Sequence, residues 1–302
     1  MKSVYLQIYL NILQRMLSIL IPVYNSSCVQ LVRELHEQAK TLKIEFEIVV
    51  MDDSSTKEWI KEQNRTLKVL SNFRLIERSD NVGPAIIRNE LARQAAYPYL
   101  LYLDSDTLPI NNDFLQVYLN RSLEDIVLCG GFCYKKNLDE NNLLRYKYGI
   151  KVEQQPASKR NKHPYMRFIS MNFFLPKDVM LKVGFDESYR FGYEDAIFGK
   201  RLAESGIQVL HIENPVWHNS MDNSMEYLRK IRLCVTNLKE RNEDIVEYIR
   251  LLKWHKYVHI LHLKWLVKWI FKKSKKAIER NLTGRYPSMK LFAFYKLGCL
   301  CE

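Results

Sequence analysis

Several things are missing from this chain of 302 residues, and each absence removes a class of answer. No run approaches the roughly 18 uncharged apolar residues that a membrane-spanning helix needs, so no segment has the pattern of a transmembrane span. The six cysteines (Cys28, Cys129, Cys133, Cys234, Cys299 and Cys301) form no C-x-x-C pair and no Cys/His metal spacing. That argues against a zinc module or a disulfide scaffold and fits scattered free thiols in a reducing compartment. There is no internal repeat and no low-complexity tract, which excludes solenoids and biased linkers. From Met221 to Thr283 there is neither proline nor glycine, so the usual helix stops are missing there and the pattern is helical.

Residues 1–15, "MKSVYLQIYLNILQR", resemble a signal peptide only superficially. Asn11, Gln14 and Arg15 interrupt the apolar stretch and no small-residue cleavage site follows. "MLSILIPVYN" from Met16 has the look of a natural start, so residues 1–15 are expected to be an extension.

What is present is a chain with 47% hydrophobic and 26% charged residues, able to bury a substantial core. Its net charge of +12 is unevenly placed. Residues 241–302 carry 14 of the 46 Lys and Arg but only 5 of the 34 Asp and Glu, a net of +9, whereas the preceding 240 residues are close to neutral at +3. A basic tail suits an anionic membrane surface or nucleic acid, and charge alone does not separate the two.

Between Met16 and Asp106 strand-like and helix-like segments alternate. "LSILIPV", "FEIVVMD", "FRLIER" and "YLLYLD" are short apolar runs, and "VQLVRELHEQAKTL", "TKEWIKEQNRTLKVL" and "GPAIIRNELARQAA" are helical, the last with Pro84 in its first turn. Strands of this kind indicate a mostly parallel sheet covered by helices on both faces. Ligands bind outside the carboxyl ends of such strands, and three of those ends carry polar residues: Tyr24–Asn25, Asp52–Asp53 and Asp104–Asp106. Further on, 125–134 is expected to be one strand, 137–163 a polar loop or flap, 165–176 a strand, and Glu194–Ser205 a helix ended by Gly206.

Two carboxylates one residue apart after a buried strand, "YLLYLDSDTLP", suit Mg²⁺ or Mn²⁺, although a solvated turn explains many such triplets. "VVMDDSST" offers a carboxylate for a nucleobase N–H or a ribose hydroxyl, or else a cap for the next helix. "FGYEDAIFGKRL" places two acids at a helix start, where the helix dipole alone favours them. His218 in "PVWHNS" is either structural or a third metal ligand near the D-x-D pair.

Taken in order, "SILIPVYN", "IVVMDDSST", "NVGPAIIRNELA", "YLLYLDSDTLP", "FISMNFFLPKDVMLKVGFDE" and "YEDAIFGKRL" closely resemble family 2 glycosyltransferases. The resemblance covers residues 16 to about 220. It implies a GT-A fold with a Rossmann-like, mostly parallel central sheet flanked by helices, and transfer of a sugar from a nucleotide-diphosphate donor to an acceptor hydroxyl, usually with inversion. A UDP-sugar is the favoured donor, and a glycan or lipid-linked glycan of the bacterial surface-polysaccharide kind the acceptor. Carried over residue by residue, Pro22 and Tyr24 line the nucleotide pocket and Asp53 meets the base, with Asp52 beside it. Arg88 supplies a basic contact and Asp104 approaches the ribose and donor sugar. Asp106 is the principal ligand of Mn²⁺ or Mg²⁺, with Asp104 and His218 also at the metal. Asp195 is the catalytic base and Glu194 supports it. Where the family usually has "DDGS" this chain has "DDSS", with Ser54 in place of glycine; "GGFDE" is "VGFDE", and "ARN" is "IRN".

On this reading 1–15 are an N-terminal extension and 16–220 a catalytic domain, its nucleotide half at about 16–106 and its acceptor half at about 107–220. Residues 221–302 form an α-helical basic C-terminal extension. A nucleotidyltransferase also puts acids at strand ends, but "PVYNSSCV" lacks the glycine-rich basic loop such enzymes carry after their first strand. A catalytically inactive nucleotide-sugar-binding protein is the other alternative. On one continuous helix over 252–275, Lys264, Lys268, Lys272 and Lys275 form a stripe opposite Leu252, Leu263, Leu266 and Ile270, with Trp254, Trp265 and Trp269 along a flank. That pattern suits a helix lying in an anionic membrane interface, or one that packs its leucines on the catalytic domain. The protein is accordingly expected in the cytoplasm, peripheral on the inner face of the membrane, and nucleic acid is not an expected partner.

Overall fold

The computed structural model describes residues 16–121, 126–136, 141, 143–189, 191–239 and 245–302. The expected extension at 1–15 lies outside the described residues. In chain order the elements are β1 (Met16–Val23), α1 (Val29–Leu42), β2 (Glu45–Asp52), α2 (Glu58–Arg65), β3 (Phe73–Glu77), α3 (Pro84–Gln94), β4 (Tyr99–Leu103), β5 (Thr107–Pro109) and α4 (Phe114–Leu119). Then come β6 (Ile126–Cys129), β7 (Phe132–Tyr134), α5 (Leu143–Tyr148), α6 (Ala157–Arg160), β8 (Asn172–Pro176), α7 (Lys177–Val183), α8 (Glu194–Glu204), β9 (Gln208–His211) and β10 (Val216–His218). Four helices end the chain: α9 (Ser224–Lys239), α10 (Arg250–Ile260), α11 (Lys264–Leu282) and α12 (Met289–Cys301).

A seven-stranded sheet in the order β3-β2-β1-β4-β8-β6-β9 forms the centre. Alternation along β1 shows why it is covered on both faces. Leu17, Ile19, Ile21 and Val23 enter one core with Leu31, Val32 and Leu35 of α1, while Leu20 enters the other with Ile87 and Leu91 of α3. β1, β2, β3 and β4 are parallel, and β8 runs antiparallel to both β4 and β6. Val23 is in register with Asp52, so the loops after β1 and β2 emerge together at the carboxyl edge.

A second, three-stranded sheet, β5-β10-β7, stands at that edge. The segment 125–134, expected as one strand, is two. Gly130 and Gly131 break it, and the chain leaves the main sheet for the small one there. A Cβ on Gly130 would lie 2.2 Å from the Tyr118 hydroxyl, and Gly131 has φ +83°. The polar segment 137–163, of which 137–140 and 142 lie outside the described residues, is mostly helical rather than a loop. Its α5, the following turn over 149–153 and α6 bury Leu144, Gly149 and Arg160. The strand expected at 165–176 begins only at Asn172, because 165–167 is a 3₁₀ turn.

The C-terminal helices share a third core with the body, in which Leu144 and Ile197 meet Tyr227, Leu228, Phe271, Phe292 and Tyr295. The single helix over 252–275 is instead two. His262 takes a left-handed φ of +53° between α10 and α11, and the direction of the chain changes there. The expected opposition of lysines and leucines fails for the same reason. Leu252 is buried while Leu263 and Ile270 are exposed, and Lys268 and Lys275 turn inward to donate to the terminal residue Glu302. Among the described residues, no helix is long and apolar enough to cross a membrane.

Candidate active site

The crevice at the carboxyl edge collects polar side chains from β1, β2, β4, α3, α8 and β10. At the β1 end, Pro22 is half-buried and the Tyr24 ring is 51% exposed. Asn25, at φ +51°, accepts from the backbone N–H groups of Thr56 and Lys57 at 2.9 and 3.1 Å, tying the first loop to the second.

The two aspartates after β2 have separate jobs. Asp52 accepts from Ser55 N–H at 2.6 Å and closes the turn. Asp53 accepts from Val82 N–H at 2.8 Å with one oxygen and from Gly83 N–H at 2.9 Å with the other. It therefore pins the loop before α3 to the carboxyl edge, and a nucleobase N–H could use only its remaining lone pairs. No hydroxyl of this segment caps α2, which starts after Lys57 without a side-chain cap. Ser54 has φ +61°, the left-handed region that glycine occupies without cost, which explains why a glycine is the usual residue in the motif this turn resembles.

Arg88 meets acids from two other parts of the chain. Buried on α3, it donates to Asp104 at 2.8 Å, lies 5.5 Å over the Phe185 ring and faces Asp195 and Glu194 electrostatically. Burial opposes its charge, yet the three carboxylates hold its pKa above the ordinary value. Asp104 accepts from this guanidinium through Oδ1. Burial raises its pKa and Arg88 pulls it back. About 30% of its side chain remains open to the crevice, so solvent moderates both effects.

Asp106 and His218 meet because β5 and β10 pair antiparallel, with His218 opposite Thr107 and Asn219 N–H donating to Asp106 O at 2.9 Å. His218 Nε2 lies 3.1 Å from Asp106 Oδ2, and its buried Nδ1 has no partner. Among the described residues no group of three His, Cys, Asp or Glu side chains is arranged to hold a metal ion by itself. Of the expected set Asp104, Asp106 and His218, the last two are in direct contact, while Asp104 Oδ1 is engaged by Arg88. A carboxylate oxygen and an imidazole nitrogen side by side remain a donor set that fits Mn²⁺ or Mg²⁺ shared with a diphosphate.

Glu194 and Asp195 open α8, and Tyr193 before them holds a strained left-handed φ of +68°. Burial pushes Glu194 up to about 7, and neighbouring Asp195 adds to the rise. Burial also raises Asp195, opposed by Arg88 and by hydrogen bonding from Ser170. Among the described residues, Glu194 Oε2 and Asp195 Oδ1 are buried acceptors without hydrogen-bond partners.

Several supporting residues were invisible to motif reading. Asn237 of α9 donates to Phe191 O at 3.0 Å, and a Cβ on Gly192 would meet the Cys234 sulfur at 2.5 Å, so α9 clamps the turn that presents Glu194 and Asp195. Behind His218, Tyr134 donates to Glu153 at 2.6 Å and Arg145 bridges the Tyr134 and Tyr227 rings at 5.2 Å each. No sequence spacing signals these contacts, which join segments far apart in the chain. All six cysteines are free thiols; burial pushes Cys28, Cys129 and Cys234 up to about 12, leaving them unreactive.

A central sheet ending in a carboxylate-lined crevice, with a small second sheet beside it, defines a GT-A glycosyltransferase fold. Residues 18–194 match the family "Glycosyl transferase family 2", and the chain belongs to that family. It is 35% identical over 113 residues to the poly(ribitol-phosphate) beta-glucosyltransferase of Bacillus spizizenii, an alignment covering 36% of this chain and 17% of that protein. It is 32% identical over 110 residues to an uncharacterized glycosyltransferase of Haemophilus influenzae, covering 36% and 43%. The chain thus spans less than half the length of these curated relatives. Its fold resembles that of the mannosyltransferase PcManGT from Pyrobaculum calidifontis, solved with GDP-Man and Mn²⁺, with TM-score 0.53, 16% identity and coverage of 94% of this chain and 79% of that one. It also resembles S. aureus TarS, with TM-score 0.50, 18% identity and coverage of 77% and 41%.

Proposed function

We propose that the chain transfers a hexose with inversion, dependent on Mn²⁺ or Mg²⁺, from a nucleotide-diphosphate sugar to a hydroxyl of a glycan or lipid-linked glycan. UDP is the favoured nucleotide, and the work is done in the cytoplasm at the inner face of the membrane. The carrying observation is the pairing of Asp106 with His218 in the same crevice as Asp104, Arg88, Glu194 and Asp195. Tyr24 offers an exposed ring for stacking on the base, and Asp53 offers acceptors to its N–H groups. Asp106 and His218 would hold the divalent ion, which supplies positive charge against the diphosphate as the glycosidic bond breaks.

Asp104, steadied by Arg88, faces the ribose and sugar hydroxyls. Asp195 is the general base, and its unpartnered Oδ1 accepts the proton of the acceptor hydroxyl. Glu194, titrating near neutrality, supports it by sharing the buried negative charge. The name of the relative from Bacillus spizizenii, a poly(ribitol-phosphate) beta-glucosyltransferase, supports a phosphate-containing polymer as the kind of acceptor.

The test is a thermal-shift screen of UDP-, GDP- and dTDP-sugars with and without Mn²⁺, repeated on Asp106→Ala. Stabilisation by a UDP-sugar that requires the ion and vanishes in the variant is expected. Full transfer activity in excess chelator would sink the metal assignment, and stabilisation by a GDP-sugar alone would move the donor from UDP to GDP.

A further inference from the structure

The corner between α10 and α11 exposes more large apolar surface than any other part of the described chain. Trp254 (54%), Tyr257 (59%), Ile260 (58%), Leu261 (63%), Trp265 (69%) and Trp269 (57%) all face solvent. An isolated exposed apolar residue needs no explanation, but six within sixteen positions, grouped at one helix–helix corner, do. The left-handed turn at His262 creates the group. It separates Ile260 and Leu261 at the end of α10 from Trp265 and Trp269 in the first turns of α11, so the apolar end of one helix directly precedes the apolar start of the next.

Charge is arranged around the same corner. From Arg250 to Lys276 there are nine Lys and Arg and no Asp or Glu. Along α11 the outward stripe runs Trp265, Trp269, Lys272 and Lys276, all exposed, at spacings of four, three and four residues. The opposite face buries Phe271, Ile278 and Leu282 in the third core, so the rotation of the helix is set by packing and the stripe is held outward.

We infer that this corner is a membrane-docking surface whose partner is an anionic lipid leaflet, with the aromatic tip entering the headgroup region and the lysines following along its surface. Tryptophan and tyrosine favour that boundary, and lysines extending from an apolar tip match an anionic headgroup layer. A second copy of the chain fits poorly, because pairing two such faces brings the exposed Lys272 and Lys276 of each copy together, and the body, at +3, offers no acidic surplus. Nucleic acid leaves the exposed Ile260 and Leu261 without a role. The inference deepens the proposed cytoplasmic, membrane-peripheral placement by giving its surface, and it draws on that reading only for the leaflet involved.

The experiment is flotation of the full chain with phosphatidylcholine vesicles and with equimolar phosphatidylcholine–phosphatidylglycerol vesicles, at low and high salt and with no nucleotide sugar present. Binding to the anionic vesicles only, weakened by salt and accompanied by a blue shift of tryptophan emission, is expected. Lys272→Gln/Lys276→Gln should lower the partition coefficient about 30-fold. Trp265→Ala/Trp269→Ala should reduce both flotation and the blue shift while leaving circular dichroism and donor binding unchanged. The inference is overturned by no flotation at low salt, or by variants that float like the wild type. It is overturned equally if the same substitutions abolish self-association or oligonucleotide binding instead. Because vesicle binding is read without donor, its failure is separate from any failure of glycosyl transfer.

Discussion

Arg88 and Asp104, sixteen residues apart and on different elements, form a hydrogen-bonded ion pair at 2.8 Å with the guanidinium only 6% exposed. Arg88 is thereby a buried cation set among Asp104, Glu194 and Asp195. Removing one partner of such a pair strands the remaining charge, so Arg88→Ala should cost about 3 kcal/mol in urea unfolding. Arg88→Lys keeps the charge but loses the planar fork and the contact with Phe185, and should fall between the two. Equal stability for all three proteins would show that the pair does not organise the acids.

Asp195→Asn retains shape but removes the proton acceptor. Transfer should fall by about 10²–10⁴-fold with donor affinity nearly unchanged. Asn237→Ala, which releases the Phe191 carbonyl from α9, should lower kcat with a smaller effect on donor KM. A variant Asp195→Asn that unfolds more readily yet keeps full specific activity would reduce the residue to a helix-terminus charge.

The raised Glu194 makes a stability prediction with a definite sign. Its folded-state pKa, about 7, lies above the ordinary 4.5, so the folded protein binds this proton more tightly than the unfolded chain does. The resulting contribution is complete below about pH 4.5 and disappears as pH rises through 7. Glu194→Gln, which is neutral throughout, should therefore gain stability over the wild type at pH 8, by about 1–3 kcal/mol, and lose that gain at pH 4.5. Chemical denaturation of both proteins at the two pH values measures it. A pH-independent difference would contradict the assignment.

Ser54→Gly relieves a left-handed backbone at the cost of a 3.3 Å hydrogen bond to Ser79 O and a more flexible unfolded chain. The balance should favour the variant by about 1 kcal/mol, seen as a higher midpoint in denaturant. A lower midpoint would mean that the serine bond outweighs the strain.

Alternating apolar runs and helical stretches determined the parallel half of the sheet, because each strand and helix there is specified by its own hydrophobic period. Leu17, Ile19 and Ile21 facing one core and Leu20 facing the other follow from a two-residue repeat that needs no tertiary information. The ordered acids were legible for a related reason: a polar residue directly after a buried strand must emerge at the sheet edge. What the chain alone did not decide were contacts between segments distant in sequence. Asp104 was paired with Arg88, Asp106 was brought to His218 by the pairing of two three-residue strands, and α9 came to clamp the turn before Glu194. The break at His262 escaped the periodicity of the tail because neither glycine nor proline announces it. A helical repeat records which residues would share a face if the helix continued. Whether it continues was decided here by the packing of Phe271, Tyr295 and Leu300 in a core shared with the catalytic body.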